Sequence, residues 1–561
     1  MVMLKGKLDN IIMSDDYVIT TGDLKIEATE SLGVTMFKHM KKHKDNVAQI
    51  DAQTGEKDTY NDLLRRSVRT ALHMADKNIT RDHIVTLCTH NHMNCVVPYI
   101  ATQFLGARIA SIDPSFSPQE MTHLLKQVQP KILFVIPQSA ATIEKILQDI
   151  SLDSEIVVFG TSTKHTEFSH FVRPHEKEEE FQPVEVENLK DTAAVYFSSG
   201  TTGLPKGICI NHYSFVNQLV NAMHTENPDY DYMMQQAQRV SFPLTTLGYT
   251  SLYWISAGAM LLTSIFSGYC RLVCPNFDAK EVWNLIHKYK PVLLTLTAIQ
   301  AMEMLDEGRP RDVDVKSILS VIVIGSGIPT EYALKLKEQL PDADLSRGYG
   351  QTEVCGPLAL FRANDRLHRP LMQKPEKIDS VGLPVAGVSY KVVDIDTEKN
   401  LGPHQRGELR IKSKFIMNGY FNADSSESFD EDGWLKTGDI VYYDEDYCFY
   451  VVDRIKEAFK YQGWFIAPLV LENELLKHPA VKLAVVIGVP KDDGYHPMGL
   501  VVVREGFDVS EEEIEKFVEE RVPERQRLRA GVKFIKSVPM TVTGKVKRRE
   551  IRQMVLQGRC E

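Results

Sequence analysis

Apolar residues along this chain fall into two alternating textures. Runs of strand length, HIVTLC (83–88), KILFVI (131–136), EIVVFG (155–160) and SVIVIG (320–325), are flanked by turn-forming residues. Beside them lie segments whose apolar positions return every three or four residues. SPQEMTHLLKQVQ (117–129), after Pro114, aligns Met121, Leu124, Leu125 and Val128, and TEYALKLKEQL (330–340) follows Pro329 in the same way. Strands alternating with helices predict an α/β architecture with largely parallel sheets. The acidic, weakly apolar stretch HEKEEEFQPVEVENLKD (175–191) reads as an exposed connection. Past about Val451 the texture changes. VVDRIKEAFKYQGWFIAP (451–468) leads to a helix (LVLENELLKHP, 469–479), a strand (LAVVIGVP, 483–490), an acidic helix (SEEEIEKFVEERV, 510–522) and a basic tail. That is enough chain for a small second domain of about a hundred residues.

One stretch tests this soluble picture. No charged residue occurs between Val240 and Cys270, and SLYWISAGAMLLTSIF (251–266) has almost the length of a membrane span. Gly258, several serines and Pro243 just upstream favour a buried helix instead. Hydrophobic residues make up 43% of the 561 and charged residues 25%, ordinary proportions for a globular chain with several cores. The formal net charge of -10 argues against nonspecific binding to nucleic acid or anionic lipid, so any anionic substrate needs locally concentrated positive charge. Eight cysteines are scattered without a C-x-x-C, which implies neither a disulfide framework nor a zinc site and suits a reducing compartment. MVMLKGKLDN lacks the build of a signal peptide, and the terminal GRCE is not a peroxisomal S-K-L-type tripeptide, so a cytoplasmic location is expected.

The strongest single feature is YFSSGTTGLPKGICINH (196–212). The apolar AAVYF suggests a strand entering a loop of small residues, whose backbone N–H groups can approach an oxyanion closely. The hydroxyls of Ser198, Ser199, Thr201 and Thr202 add donors, Gly200 and Gly203 give close approach, and Lys206 adds a mobile cation. The loop grips phosphate, yet it is not a Walker A, because the Gly-Lys-Ser/Thr ending is missing.

SSGTTGLPKG resembles the phosphate-loop signature of the adenylate-forming superfamily: acyl-CoA synthetases, coumarate–CoA ligases, firefly luciferase and peptide-synthetase adenylation domains. Further blocks follow in the family's order: GYGQTE (348–353), GELRIKS (407–413), GWLKTGD (433–439), DRIKEAFKYQG (453–463) and TGKVKRRE (543–550). The overall texture is most similar to luciferase-like acyl-CoA synthetases of insects. The resemblance implies a large domain of stacked, mostly parallel sheets (1–453) and a small mobile α+β lid (454–561), with the active site between them and the hinge near 454–456, pivoting at Lys456. It implies ATP, Mg2+ and CoA as cofactors and a small carboxylic acid as substrate.

The same resemblance assigns residues. Gly325, Ser326 and Gly327 of GSGIP form an acyl- and adenine-site turn, and Gly348, Tyr349, Gly350 and Gln351 meet the nucleotide, Tyr349 by stacking on adenine. Thr352 bonds a phosphate and Glu353 holds Mg2+, a hard ion that needs an oxygen ligand beside the phosphates. Asp439 takes both ribose hydroxyls, which suits a carboxylate that accepts two O–H donors, and Arg454 joins it there. Lys545 bridges the carboxylate and the α-phosphate during adenylation, a cation placed where negative charge builds up. Lys460 serves thioester formation, and Gly463 lines the CoA channel. A rotation of the small domain exchanges the two lysines.

Departures from the family pattern bear on the acid. In FPLTTLGYT (242–250), Thr246 stands where luciferases and coumarate–CoA ligases commonly carry a His, beside Leu247 in the acyl region. Ser346 replaces a luciferase arginine, with Arg347 one position off, and Ile328 replaces a small residue, which narrows a pocket for a flat aromatic. These features predict an acyl-CoA synthetase acting on a medium- or long-chain fatty acid. The rivals are a luciferase-type monooxygenase, a coumarate-ligase-like aryl acid ligase and a non-catalytic nucleotide-binding relative; intact Lys545, Glu353 and Asp439 speak against the last.

Overall fold

The computed structural model of the chain describes residues 11–22, 27–197, 205–223, 243–362, 368–461, 464–491, 494–540 and 546–559. Two seven-stranded sheets carry much of the fold. The first runs Gly207–Asn211, Thr192–Phe197, Arg108–Ile112, Ile84–Cys88, Ile132–Val135, Glu155–Val158 and Thr166–Glu167. It is parallel throughout except for the antiparallel pairing of Thr192–Phe197 with Gly207–Asn211. The second runs Asp344–Arg347, Ser320–Ile324, Leu293–Thr297, Thr245–Gly248, Cys270–Val273, Val47–Asp51 and Lys57–Thr59, with only the last pair antiparallel.

Apart from the short edge strand Thr166–Glu167, the strands of the first sheet are buried on both faces. Val85 and Leu87 join the cluster of Tyr99, Ile100 and Phe104, while Ile84 and Cys88 join Leu124 and Ile143 on the other side. Two-sided burial is why these strands read as unbroken apolar runs rather than alternating ones. The helix Pro118–Val128 on the outer face begins with a capping box. Ser117 Oγ accepts the Glu120 N–H and Glu120 Oε2 accepts the Ser117 N–H, with Pro118 in the first turn, where its missing donor costs nothing.

Helices Leu32–Lys42, Tyr60–Asp76, Val97–Phe104 and Ile255–Ser267 fill the layer between the sheets. Within the uncharged stretch, Ile255–Ser267 is a helix of 13 residues buried mainly over Leu261–Phe266, in line with the buried helix expected from its glycine and serines. Its approach depends on Gly258, where a Cβ would lie 2.3 Å from the Tyr196 hydroxyl. Tyr196 and Tyr99 pair their hydroxyls at 2.9 Å beneath it. Among the described residues no helix is long and apolar enough to cross a membrane.

A six-stranded antiparallel sheet follows, in the order Ile11–Met13, Ile19–Thr21, Val388–Val393, Gly407–Ser413, Leu435–Tyr443 and Phe449–Arg454. A separate five-stranded sheet is built from Phe459–Tyr461, Trp464–Ile466, Val481–Lys491, Gly494–Val503 and Val532–Phe534. Val486 and Val501 face helices Pro468–Leu476 and Glu511–Glu519, while Val485 and Leu500 face Arg548–Leu556. The chain is thus an α/β protein with a small α+β unit at its C-terminal end.

Candidate active site

Asp439 is the centre of the site. Its strand, Leu435–Tyr443, pairs with Phe449–Arg454 so that Asp439 and Arg454 are direct cross-strand partners, which brings the guanidinium Nε to 3.3 Å from Oδ1. The other carboxylate oxygen, Oδ2, accepts from the Tyr349 hydroxyl and from Gln351 Nε2, both at 2.7 Å. Gln351 Nε2 also donates to the Thr437 carbonyl at 2.8 Å, so the amide is held at two points of the strand Leu435–Tyr443. Burial and the adjoining Asp439 charge hold the Tyr349 phenol far above its ordinary pKa, so it stays a donor. Burial opposes the charge of Arg454, but Asp439, Tyr349 and Glu353 outweigh it and raise its pKa. A buried carboxylate with two donors and one cation is satisfied, and a ligand's hydroxyls can compete for the same lone pairs.

Tyr349–Gln351 turns into the short 3-10 helix Thr352–Val354, which carries Thr352 and Glu353. Gly350 is required where it stands, because a Cβ would come within 2.2 Å of the Gly356 carbonyl. The Glu353 carbonyl accepts the Met417 N–H at 2.8 Å. The segment after Met417 also docks on the chain leaving the phosphate loop: Phe421 N–H donates to the Gly207 carbonyl at 2.7 Å and Cys209 N–H to Gly419 at 3.0 Å. Tyr420, between these contacts, joins the two halves of the site. Lys206 Nζ lies 5.1 Å from its ring centroid, and burial together with the Glu353 carboxylate raises its phenol pKa. Sequence reasoning missed Tyr420; its only signal is an aromatic residue in MNGYFN shortly after GELRIKS.

The turn Gly325–Ser326–Gly327 borders open space. Around a Cβ built on Gly325 or Gly348 there is nothing within 4 Å, and one on Gly327 would meet only Leu469 Cδ2, at 4.0 Å. Gly325 also has φ +88°, a conformation that favours glycine. Arg347 backs this turn by donating to the Ile328 and Ile378 carbonyls and pairing with Asp379. Ser346 is buried in the sheet.

The acyl-region residues lie deeper. Thr246 and Leu247 occupy the strand Thr245–Gly248 in the middle of the second sheet, and Thr246 Oγ1 donates to the Cys270 carbonyl at 3.4 Å. Leu247 and Ile328 are packed into the core with Leu296 and Tyr332. Lys460 stands on the strand Phe459–Tyr461, half exposed, with Nζ 3.1 Å from Asp396. Lys456 is exposed in the turn after Arg454. Beside it, Asp453 accepts the Leu469 N–H at 2.9 Å; burial pushes its carboxyl up to about 6, against the pull of that N–H and of Arg548. Ser198, Ser199, Gly200, Thr201, Thr202 and Gly203 of the phosphate loop lie outside the described residues, as do Gly463 and Lys545.

The structure therefore brings Tyr349, Gln351, Asp439 and Arg454 into direct contact, and sets Glu353, Tyr420 and Lys206 together at the exit of the phosphate loop. The chemistry of these residues fits Mg2+: the Glu353 carboxylate near Tyr420 would offer a hard oxygen ligand, and phosphate oxygens and water would offer the rest.

A family model described as AMP-binding enzyme matches residues 36–421, and one described as AMP-binding enzyme C-terminal domain matches residues 470–545. Luciferin 4-monooxygenase of Nipponoluciola cruciata is 29% identical over 571 aligned residues, covering 97% of this chain and 98% of its own. 4-coumarate–CoA ligase 1 of Petroselinum crispum is 29% identical over 551, covering 96% of each. Among solved structures, the luciferase-like enzyme from the nonluminescent Zophobas morio mealworm superposes with a TM-score of 0.70 at 35% identity, covering 78% of this chain and 99% of that one.

Proposed function

The chain belongs to the AMP-binding enzyme family of adenylate-forming enzymes, and from that premise we propose that it is an acyl-CoA synthetase that activates a medium- or long-chain fatty acid. The observation that carries the nucleotide half of this reading is the Asp439 cluster, a buried carboxylate bonded to Tyr349 and Gln351 beside the open Gly325–Gly327 turn. Asp439 and Arg454 take the ribose, Tyr349 the adenine, and the Ser198–Gly203 loop with Lys206 the phosphates.

In the first step a carboxylate oxygen of the acid attacks the α-phosphorus and the bond to pyrophosphate breaks. Lys545 offsets the charge that builds between the two anions. Glu353 would hold Mg2+, which when bound would supply charge neutralisation at the phosphates. In the second step the CoA sulfur attacks the acyl carbonyl, AMP leaves, and the thiol proton passes to solvent. Lys460 faces the cleft in that step, after a rotation at the 454–456 hinge, and Gly463 leaves room for the thiol arm.

Asp439→Ala tests the ribose contact. A net loss equal to one charge-assisted hydrogen bond, about 1.5–3 kcal/mol, should raise KM for ATP about tenfold to a hundredfold in a pyrophosphate-release assay. A KM within twofold of the parent's would remove Asp439 from the site.

The fatty-acid assignment rests on the apolar surroundings of Thr246 and Leu247. In a panel scored by pyrophosphate release with and without CoA, at least one medium- or long-chain fatty acid should turn over faster than coumarate. The likeness to luciferin 4-monooxygenases favours a second reading, an oxygenase acting on the acyl-adenylate. Ser346 and Ile328 lead us to expect negligible light with firefly luciferin, ATP and oxygen. Faster turnover of coumarate than of every fatty acid would overturn the first reading, and strong luminescence would establish the second.

A further inference from the structure

We propose that His73, Asp76 and His175 form a binding site for a divalent transition-metal ion of the zinc or cobalt class, outside the adenylate site. His73 and Asp76 lie one turn apart at the end of the helix Tyr60–Asp76. His175 arrives from the connection that precedes the strand Thr192–Phe197. Asp76 Oδ2 is 3.1 Å from His175 Nε2 and 3.9 Å from His73 Nδ1, and one ligand atom from each residue lies within 4.8 Å of the other two. Metal–nitrogen and metal–oxygen bonds of about 2.0–2.2 Å put neighbouring tetrahedral ligands about 3.3–3.5 Å apart. The three side chains thus need shifts of only a few tenths of an ångström to a little over one to close on an ion.

Tautomers support the assignment at His73. Its Nε2 lies 3.2 Å from the Arg173 carbonyl, which can only accept, so that nitrogen carries the proton. The lone pair is left on Nδ1, facing Asp76. A ligating imidazole whose other N–H donates to a backbone carbonyl is the usual outer-shell arrangement of a metal site. His175 needs one adjustment. Its Nδ1 now accepts the Lys177 N–H at 3.1 Å, so its proton sits on Nε2 and points at Asp76. Metal binding moves that proton to Nδ1 and opens the Lys177 contact, which lies in an exposed turn.

The rest of the frame is already braced. Arg69 Nη2 donates to Glu178 Oε1 at 2.9 Å and Arg69 Nη1 to the Val172 carbonyl at 3.2 Å, while the Glu178 N–H donates to the His175 carbonyl at 3.1 Å. The ring of His175 is nearly buried, whereas Asp76 is 60% exposed, which leaves a coordination position for water. All seven described cysteines are buried, so they do not compete at the surface. An ion here would clamp the start of the acidic connection to the helix, a structural role separate from acyl activation.

The test uses the full-length chain stripped with a chelator and titrated with Co2+, then with Zn2+ as competitor. The parent should show saturable d–d absorption without the thiolate charge-transfer band, and Zn2+ should raise its Tm. His73→Ala and His175→Ala should each weaken Co2+ binding by at least about tenfold, the lower end of what even an outer-shell loss costs, and should abolish the Zn2+ shift in Tm. Asp76→Asn, at an exposed position, provides the same comparison should either histidine variant fold poorly. Pyrophosphate release with Mg2+ and ATP should be unchanged in all three. Equal Co2+ affinity in the parent and the variants, or no d–d band in the parent, would overturn the proposal.

Discussion

Lys545→Ala is expected to slow pyrophosphate release by about two to three orders of magnitude, the scale of removing one group that stabilises charge in the transition state. The same variant should convert synthetic acyl-AMP and CoA to acyl-CoA at close to the parent rate, because the proposed rotation takes Lys545 out of the cleft for that step. Lys460→Ala should show the opposite: near-normal pyrophosphate release but slow thioester formation from the adenylate. Lys460 now holds Asp396 at 3.1 Å, in the turn that follows the strand Val388–Val393, an exposed pair worth little on its own. Its loss should therefore leave stability within about 0.5 kcal/mol, so a deficit confined to the second half-reaction is catalytic in origin. Equal damage to both half-reactions by each variant would mean that the small unit does not alternate. Single-turnover assays of the separate halves make the distinction.

Legibility in the sequence followed burial. Ile84–Cys88 and Ile132–Val135 announce themselves because both faces are apolar, and the continuous run needs no partner to be read. The antiparallel sheet is harder to see. Gly407–Ser413 carries Glu408 and Arg410, yet both are buried: Arg410 pairs with Glu398, Glu408 and Asp430, and only the fold brings those charges together. At the site, the motifs marked Tyr349, Gln351 and Asp439 as separate nucleotide contacts. That they form one hydrogen-bonded cluster was not legible, because the hydrogen bond from Tyr349 to Asp439 spans 90 positions of chain. Tyr420 and the His73–Asp76–His175 group escaped for the same reason. Another contact of this kind is Arg504, on which the small unit meets Asp306 at 3.0 Å and the Tyr332 hydroxyl, 172 positions away from that tyrosine.

Arg548→Ala is expected to destabilise the C-terminal unit by about 3–5 kcal/mol, the cost of leaving a buried charge without its partner. Arg548 opens the helix Arg548–Leu556 and donates from both terminal nitrogens to the carboxylate of Glu472, with Nη2 at 2.8 Å from Oε2. It also donates to the Val486 carbonyl at 3.0 Å and lies 3.5 Å from Glu457. Glu472 in turn accepts the Val486 N–H at 2.7 Å. One guanidinium thus ties the last helix to the helix Pro468–Leu476, to the strand Val481–Lys491 and to the turn that follows Arg454. Burial opposes its charge, but Glu472 and Asp453 hold its pKa above the ordinary value, so it remains a cation. Without it, Glu472, only 5% exposed, keeps a single N–H donor. Hydrogen exchange over residues 459–559, together with urea unfolding, should report the loss. The double variant Glu472→Leu with Arg548→Met should recover part of it, since an apolar pair of similar volume replaces a desolvated ion pair, while the Val486 N–H loses its acceptor. Arg548 also stands three positions after Lys545, so the single variant should slow adenylation while the double variant restores part of it. A stability loss below about 1 kcal/mol, or no recovery in the double variant, would mean that the ion pair does not anchor the small unit.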